Sequence, residues 1–179
     1  MSNYVFPDNT VLCNFASIDR LDLLRAVLDG DGRWSEAVAY EASRSVPYIP
    51  GLAGLQDADW LGEPIEITDE DEIRRVETIR RGVFGGRENN PLRHLGESQT
   101  CFLIKESGRF DGSWWVSDDR EAVRYARRQG IVTCETADLM SIAVTKGNLA
   151  DTDALPLLHA MAATGRRLKI PDTLAALHR

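Results

Sequence analysis

Cysteine, histidine and positive charge are all scarce in this chain. Its 179 residues hold three cysteines and three histidines, and 28 Asp and Glu outnumber 21 Lys and Arg, for a formal charge of −7. Cys13, Cys101 and Cys134 are an odd set with no close pair. They suit neither a disulfide framework nor a zinc clip, and fit a reducing cytosol. The missing positive surplus argues against a general polyanion binder, whose footprint is a net basic domain. It leaves room for a nuclease, in which carboxylates gather round a metal and a local basic patch holds phosphate. No segment reaches the ~20 apolar residues of a membrane span, and the opening MSNYVFPDNT lacks the basic and apolar runs of a secretory signal. A soluble cytoplasmic protein is the expectation.

What is present is ordinary globular material. Hydrophobic residues make up 43% and charged residues 27%, close to averages of about 45–50% and 25%, so disorder as the main state is excluded. One domain over residues 1–179 is expected, since domains run to roughly 100–200 residues.

Strand and helix signals alternate along the chain. Tyr4–Phe6 is a short aromatic and β-branched strand that stops at Pro7-Asp8-Asn9. Leu21, Leu24, Val27 and Leu28 have helical spacing and end at the Asp29-Gly30-Asp31-Gly32 stop. Ser35 opens a second helix, SEAVAYEASRS, and Pro64–Thr68 reads as a short strand. Asp69 to Glu72 begin a charged helix running to about Arg81, with acids first and arginines last, as the helix dipole favours. Gly82 to Pro91 reads as a mobile loop, and Leu95–Glu106 as a helix. Trp114–Val116 and Ile131–Cys134 read as buried strands flanking the helix EAVRYARRQ, and helices over 137–146, 154–164 and 171–178 close the chain. The alternation implies an α/β domain with a largely parallel sheet.

Ligands of open α/β sheets bind beyond the carboxyl ends of the strands. Asp8 follows the first strand there, and Asp118 with Asp119 follows the Trp114–Val116 strand. Glu41 and Glu97 interrupt helical segments. If these acids converge, they form a carboxylate cluster free of His and Cys. Such a cluster suits magnesium or manganese, hard cations that prefer oxygen and neutralise acids unable to ionise together. Metal held this way activates water for phosphodiester hydrolysis. Each acid also has an ordinary reading. Asp8 can cap a helix, Glu41 can lie on a solvated face, and Glu97, Asp118 and Asp119 stand near helix starts where acids are favoured anyway.

Five segments in order resemble the PIN-domain family, in the subgroup of VapC-like toxins of bacterial toxin–antitoxin systems. DNTVLCNFASIDRLDLL is similar to the family's opening Asp-Thr-Ser, apolar helix and "grLdLL" segment, and WSEAVAYEASRS to its "PeaVyeEl". HLGESQTCFLIKE resembles "lGEaeAialA", and WWVSDDREAVRYARRQGIVTCETADLM resembles the "liDDraAR" block. The tail from Gly147 keeps the family's closing rhythm, and residues 50–93 match least. The resemblance implies a PIN-like three-layer α/β/α sandwich with a central, mostly parallel sheet, and a metal-dependent endoribonuclease using Mg2+ or Mn2+. By this likeness Asp8, Glu41, Glu97, Asp118 and Asp119 are the site acids, all but Glu41 metal ligands, and Thr10 orients Asp8 or a bound water. Which of Asp118 and Asp119 enters the site stays open. The resemblance also implies a small antitoxin encoded nearby and a homodimer. Gln99-Thr100 and Glu135-Thr136 depart from the family pattern without removing a core acid.

RNA drawn to an acidic protein needs local positive charge. Arg120, Arg124, Arg127 and Arg128 share one helix face, and Arg120 and Arg124, nearest the acids, are the candidate RNA contacts. Arg74, Arg75, Arg80, Arg81 and Arg87 form a second basic group, and Arg166, Arg167 and Lys169 a third. Trp60, in a polar stretch, is a candidate base-stacking platform, and His94 a candidate proton carrier. Two other function classes compete: a PIN-like interaction module without turnover, and a haloacid-dehalogenase-type phosphatase. The phosphatase lacks its second acid, since Thr10 stands two residues after Asp8.

Overall fold

The computed structural model describes residues 3–55 and 59–178. Three short strands, β1 (Val5–Pro7), β2 (Trp114–Val116) and β3 (Val132–Cys134), pair in parallel in that order. Val5 stands opposite Trp114, and Trp114 opposite Val132. Single parallel bridges, Val5 to Gly32 and Ser35 to Ile65, extend the sheet beyond β1. Pro64–Thr68 is therefore one paired rung and not the strand its pattern predicts; Pro64 has no N–H to donate and only Ile65 is bonded.

Side chains alternate across the sheet as a period of two requires. Phe6 and Trp115 enter a core with α4 (Glu70–Gly82), α5 (Leu95–Lys105) and α6 (Arg120–Arg128). Val116 and Cys134 enter the opposite core with α1 (Asn9–Ala16), α2 (Leu21–Leu28), α3 (Glu36–Ser45), α7 (Thr136–Thr145) and α8 (Asp151–Ala163). Leu177 of the short α9 (Leu174–Leu177) closes this second core. The result is the expected α/β/α sandwich. Val132, expected in a buried strand, is exposed because β3 is the outermost strand of the ladder.

The 82–91 segment, expected as a loose loop, is wrapped around an arginine. Arg80 is 1% exposed, pairs with Glu77 at 2.6 Å, and donates to the carbonyls of Arg87, Asn90 and Arg93 at 3.2–3.4 Å. Gly86 makes this possible: a Cβ there would stand 2.4 Å from the Arg80 guanidinium. No described helix is long and apolar enough to cross a membrane.

Candidate active site

Both loops that carry the acids leave the carboxyl ends of β1 and β2, where the parallel ladder stops and side chains can converge. Asp8 is the N-cap of α1, its Oδ1 accepting the Asn9 N–H at 2.8 Å. Its Oδ2 accepts the hydroxyls of Thr10 and Ser117, each at 3.0 Å. The two readings of Asp8, cap and site residue, are thus compatible in one rotamer. Burial, and then the charge of Glu97, push its pKa up to about 7, against the pull of those three donors.

Glu41 projects from α3 toward the start of α5. Burial and then the charges of Asp8 and Glu97 raise its pKa to about 8, and the Gly96 N–H opposes them. A Cβ at position 96 would stand 3.1 Å from Glu41 Oε1 and 3.2 Å from Val38 Cγ2, so glycine permits this close approach of α5 to α3. Glu97, one residue on, is partly exposed and lies 3.2 Å from His94 Nδ1. The His94 ring stacks on Phe84, and its backbone adopts a left-handed conformation (φ 63°). Asp8, Glu41 and Glu97 therefore share one electrostatic neighbourhood.

Asp118 and Asp119 part company. Asp119 is the N-cap of α6, its Oδ1 accepting the N–H groups of Glu121 and Ala122 at 2.8 and 2.9 Å. Asp118 faces α1 and α7 instead. It accepts the Thr136 N–H at 3.0 Å, the Thr136 hydroxyl, and the Asn14 amide at 2.7 Å. Burial holds its pKa above the usual carboxylate value, with the Thr136 donors opposing. Asn14, buried within α1, also accepts Arg166 Nε at 3.0 Å. Arg166, Asn14, Asp118 and Thr136 thus form one hydrogen-bonded chain.

Sequence reading singled out neither Asn14 nor Ser117, and it named Thr136 and Arg166 without tying them to Asp118. A signal existed for three of them. Asn14 is a polar residue on an apolar helix, Ser117 abuts the acidic pair, and Thr136 sits in the Gly-Thr position of the PIN pattern. Arg166 stands out only as part of a basic group, and nothing local marks its contact with Asn14, which is made across 152 residues of chain. Gln99, by contrast, has a structural duty: its side chain accepts the Ala37 N–H and donates to Glu36, both at the start of α3.

Two clefts reach the start of α1, one at Thr10 and one at Asn9. One, of about 630 Å³, has Thr10, Asp118, Asp119 and Glu135 facing Arg120, Arg166, Arg167 and Lys169. The other, of about 560 Å³, is lined by Ala37, Tyr40, Leu92 and Leu95, with Asn9, Glu41 and Arg44. Among the described residues Arg120, Arg124, Arg167 and Lys169 make no ion pair. Arg127 is tied to Thr133 at 2.8 Å.

The α4 arginines do not form the basic surface their spacing suggests. Arg74 pairs with Asp71, Arg75 with Glu106, Arg80 with Glu77, and Arg81 with Glu77 and Glu88. Trp60 is not a free platform either, since it packs against the core beside Leu61.

The donor set suits a hard divalent cation. Among the described residues no Lys or Arg pairs with buried Asp8 or with half-buried Glu41 and Asp118, so these acids lack a resident counter-charge. No three of His, Cys, Asp and Glu close round a common point among the described residues. A cation here would complete its shell with water or phosphate oxygen, the ordinary habit of magnesium.

Comparison with curated proteins and with solved structures finds no match. Comparison with family models matches the PIN domain over residues 4–178. That match spans nearly the whole described structure, including both cores and every acid of the site, and the chain belongs to the PIN-domain family.

Proposed function

We propose that the protein is a metal-dependent endoribonuclease, the toxin of a toxin–antitoxin pair. The PIN domain is a nuclease fold in general. The observation that carries the finer reading is the convergence of Asp8 at the end of β1 with Glu41 of α3 and Glu97 of α5: Asp8 is buried, the other two are half-buried, and no Lys or Arg pairs with any of them among the described residues. Such a group ionises fully only beside a cation.

Asp8, Glu97 and Asp118 would hold Mg2+ or Mn2+, which when bound would supply the charge that activates water and steadies the leaving oxygen. Thr10 and Ser117 fix the Asp8 carboxylate so that it needs no reorganisation during reaction. Glu41, beside Asp8 and Glu97, is a second-site or water-orienting acid. Arg166 acts through Asn14 to hold Asp118. Arg120, Arg167 and Lys169, with Arg124 farther along α6, take the RNA phosphates. Asp119 serves α6 as a cap and is secondary at the metal. The antitoxin, a small protein encoded beside the toxin, binds over the acids, and the toxin pairs as a homodimer.

A second reading, an interaction module without turnover, draws on the absence of a closed three-ligand cage among the described residues. Calorimetric titration of Mn2+ into the wild type and into folded Asp8→Ala separates the two. Saturable binding that is lost in the variant is expected. Equal binding in both proteins, or none in either, would move the interaction module to first place.

A further inference from the structure

The two clefts at the start of α1 differ in chemistry, and only one suits phosphate. The Tyr40 cleft has apolar walls, with Ala37, Leu92 and Leu95 beside the tyrosine. Tyr40 is 45% exposed and Leu92 43% exposed, although both are large hydrophobic side chains. The Arg44 guanidinium lies 6.0 Å from the Tyr40 ring centroid, one helical turn along α3. Glu41 lies between them in sequence and lines the same cleft, so its apolar walls are continuous with the acid group.

Building on the ribonuclease reading above, we infer that this cleft is a nucleobase subsite that accepts one unstacked base next to the scissile phosphate. Tyr40 is its platform.

The argument is one of complementarity. A polynucleotide offers an anionic backbone and flat bases with apolar faces and polar edges. The protein offers a cationic wall at Arg120, Arg166, Arg167 and Lys169 and an aromatic, apolar wall at Tyr40, Leu92 and Leu95. Asn9 lines the second cleft and Thr10 the first, so both clefts reach the first turn of α1, which Asp8 caps. At the edge of the Tyr40 cleft, the Asn9 amide and Ser45 hydroxyl are joined only by a long 3.4 Å bond, which a base edge can displace. The volume, about 560 Å³, falls within the usual range of small-ligand pockets, about 300–1,000 Å³. Arg44 adds a cation beside the stack. A base held in a duplex cannot leave its stack to reach Tyr40 without the cost of unpairing, which is why the strand must be single.

The test uses the full chain with Mn2+, a single-stranded oligoribonucleotide that the wild type cleaves, its duplex, and a copy abasic beside the cut. Tyr40→Ala is expected to lower kcat/KM on the intact strand by roughly 5- to 100-fold, the range that loss of one base stack supplies. Tyr40→Phe keeps the ring and should stay close to wild type. The abasic strand should be poor for wild type and no worse for Tyr40→Ala, and the duplex should resist both. If Tyr40→Ala cuts the intact strand as fast as wild type, the base subsite is wrong while the nuclease stands. If that variant cuts normally but loses a bound partner protein, the cleft belongs to protein. If the wild type cleaves no RNA with Mn2+, the nuclease reading fails and takes the subsite with it.

Discussion

Asp8 joins β1 to α1, and its three hydrogen bonds cannot offset the cost of burying its charge beside Glu97. Its folded pKa of about 7 and the value of about 8 at Glu41 both exceed the unfolded values of about 3.9 and 4.3. The folded chain therefore keeps protons that the unfolded chain releases. The stability due to these protons is fully present below about pH 4, and falls as the pH climbs to about 8. Asp8→Asn removes the charge but keeps the cap, since Asn caps as well as Asp. The variant should match the wild type near pH 4. At pH 8 it should gain on the order of 2 kcal/mol, a rise in Tm of about 4–8 °C. Nuclease activity should be lost together with that gain, a stability–activity trade-off at one side chain. Thermal melts at the two pH values check this, and an equal Tm difference at both would contradict it. In the wild type, Mn2+ should close the gap at pH 8 and do little at pH 4, where it competes with protons.

Elements decide what neighbouring acids do. Asp118 and Asp119 are adjacent, yet the start of α6 claims Asp119 and the α1–α7 junction claims Asp118. Asp119→Ala should cost about 1 kcal/mol, as a lost cap does, with most activity retained. Asp118→Ala should abolish cleavage, because it leaves Thr136, Asn14 and Arg166 without the carboxylate they hold. Melting curves and RNA cleavage assays on the two variants make the comparison, and equal loss of activity would place both acids at the metal. Sequence could name this pair but not divide it, since the partners Asn14 and Thr136 lie 104 and 18 residues away from Asp118. Helices were legible because caps and periodicity are local: Ser35 and Asp69 cap α3 and α4 where the pattern places those helices. The three-residue strands were legible from their apolar runs between polar stops. The 64–68 segment was not, because a single bridged rung leaves no alternation to read. The 82–91 segment is the loop its glycines suggest, but its anchor was not legible. Its order comes from Arg80 on the preceding helix. Arg80→Ala should cost about 1–3 kcal/mol by removing the buried donor that ties the carbonyls of Arg87, Asn90 and Arg93 to Glu77. Protease cleavage should then fall first between residues 82 and 91, and unchanged Tm and digestion would show that the loop holds without it.

At the scale of the whole molecule, the charge of −7 conceals a segregation by partner. The arginines of α4 are spent on Asp71, Glu77, Glu88 and Glu106, while those around the acid cleft are left unpaired or, in Arg166, hydrogen-bonded to Asn14. Net charge therefore says little about nucleic-acid binding here, and the distribution of partners says more. Long-range attraction to RNA is weak for an acidic protein, so affinity must come from close contacts that release counterions. For single strands the slope of log affinity against log salt is about −0.7 for each phosphate neutralised. Arg120, Arg124, Arg167 and Lys169 together should give a slope of roughly −3 for binding to cleavage-deficient Asp118→Asn. Replacing Arg167 or Lys169 by Gln should reduce that slope by about 0.7 each. Replacing Arg74 or Arg81 should leave it unchanged, because those side chains already have carboxylate partners. A slope that responds to α4 but not to the 166–169 segment would put the backbone path across the other face. Fluorescence anisotropy of a labelled single strand over a salt series measures it directly.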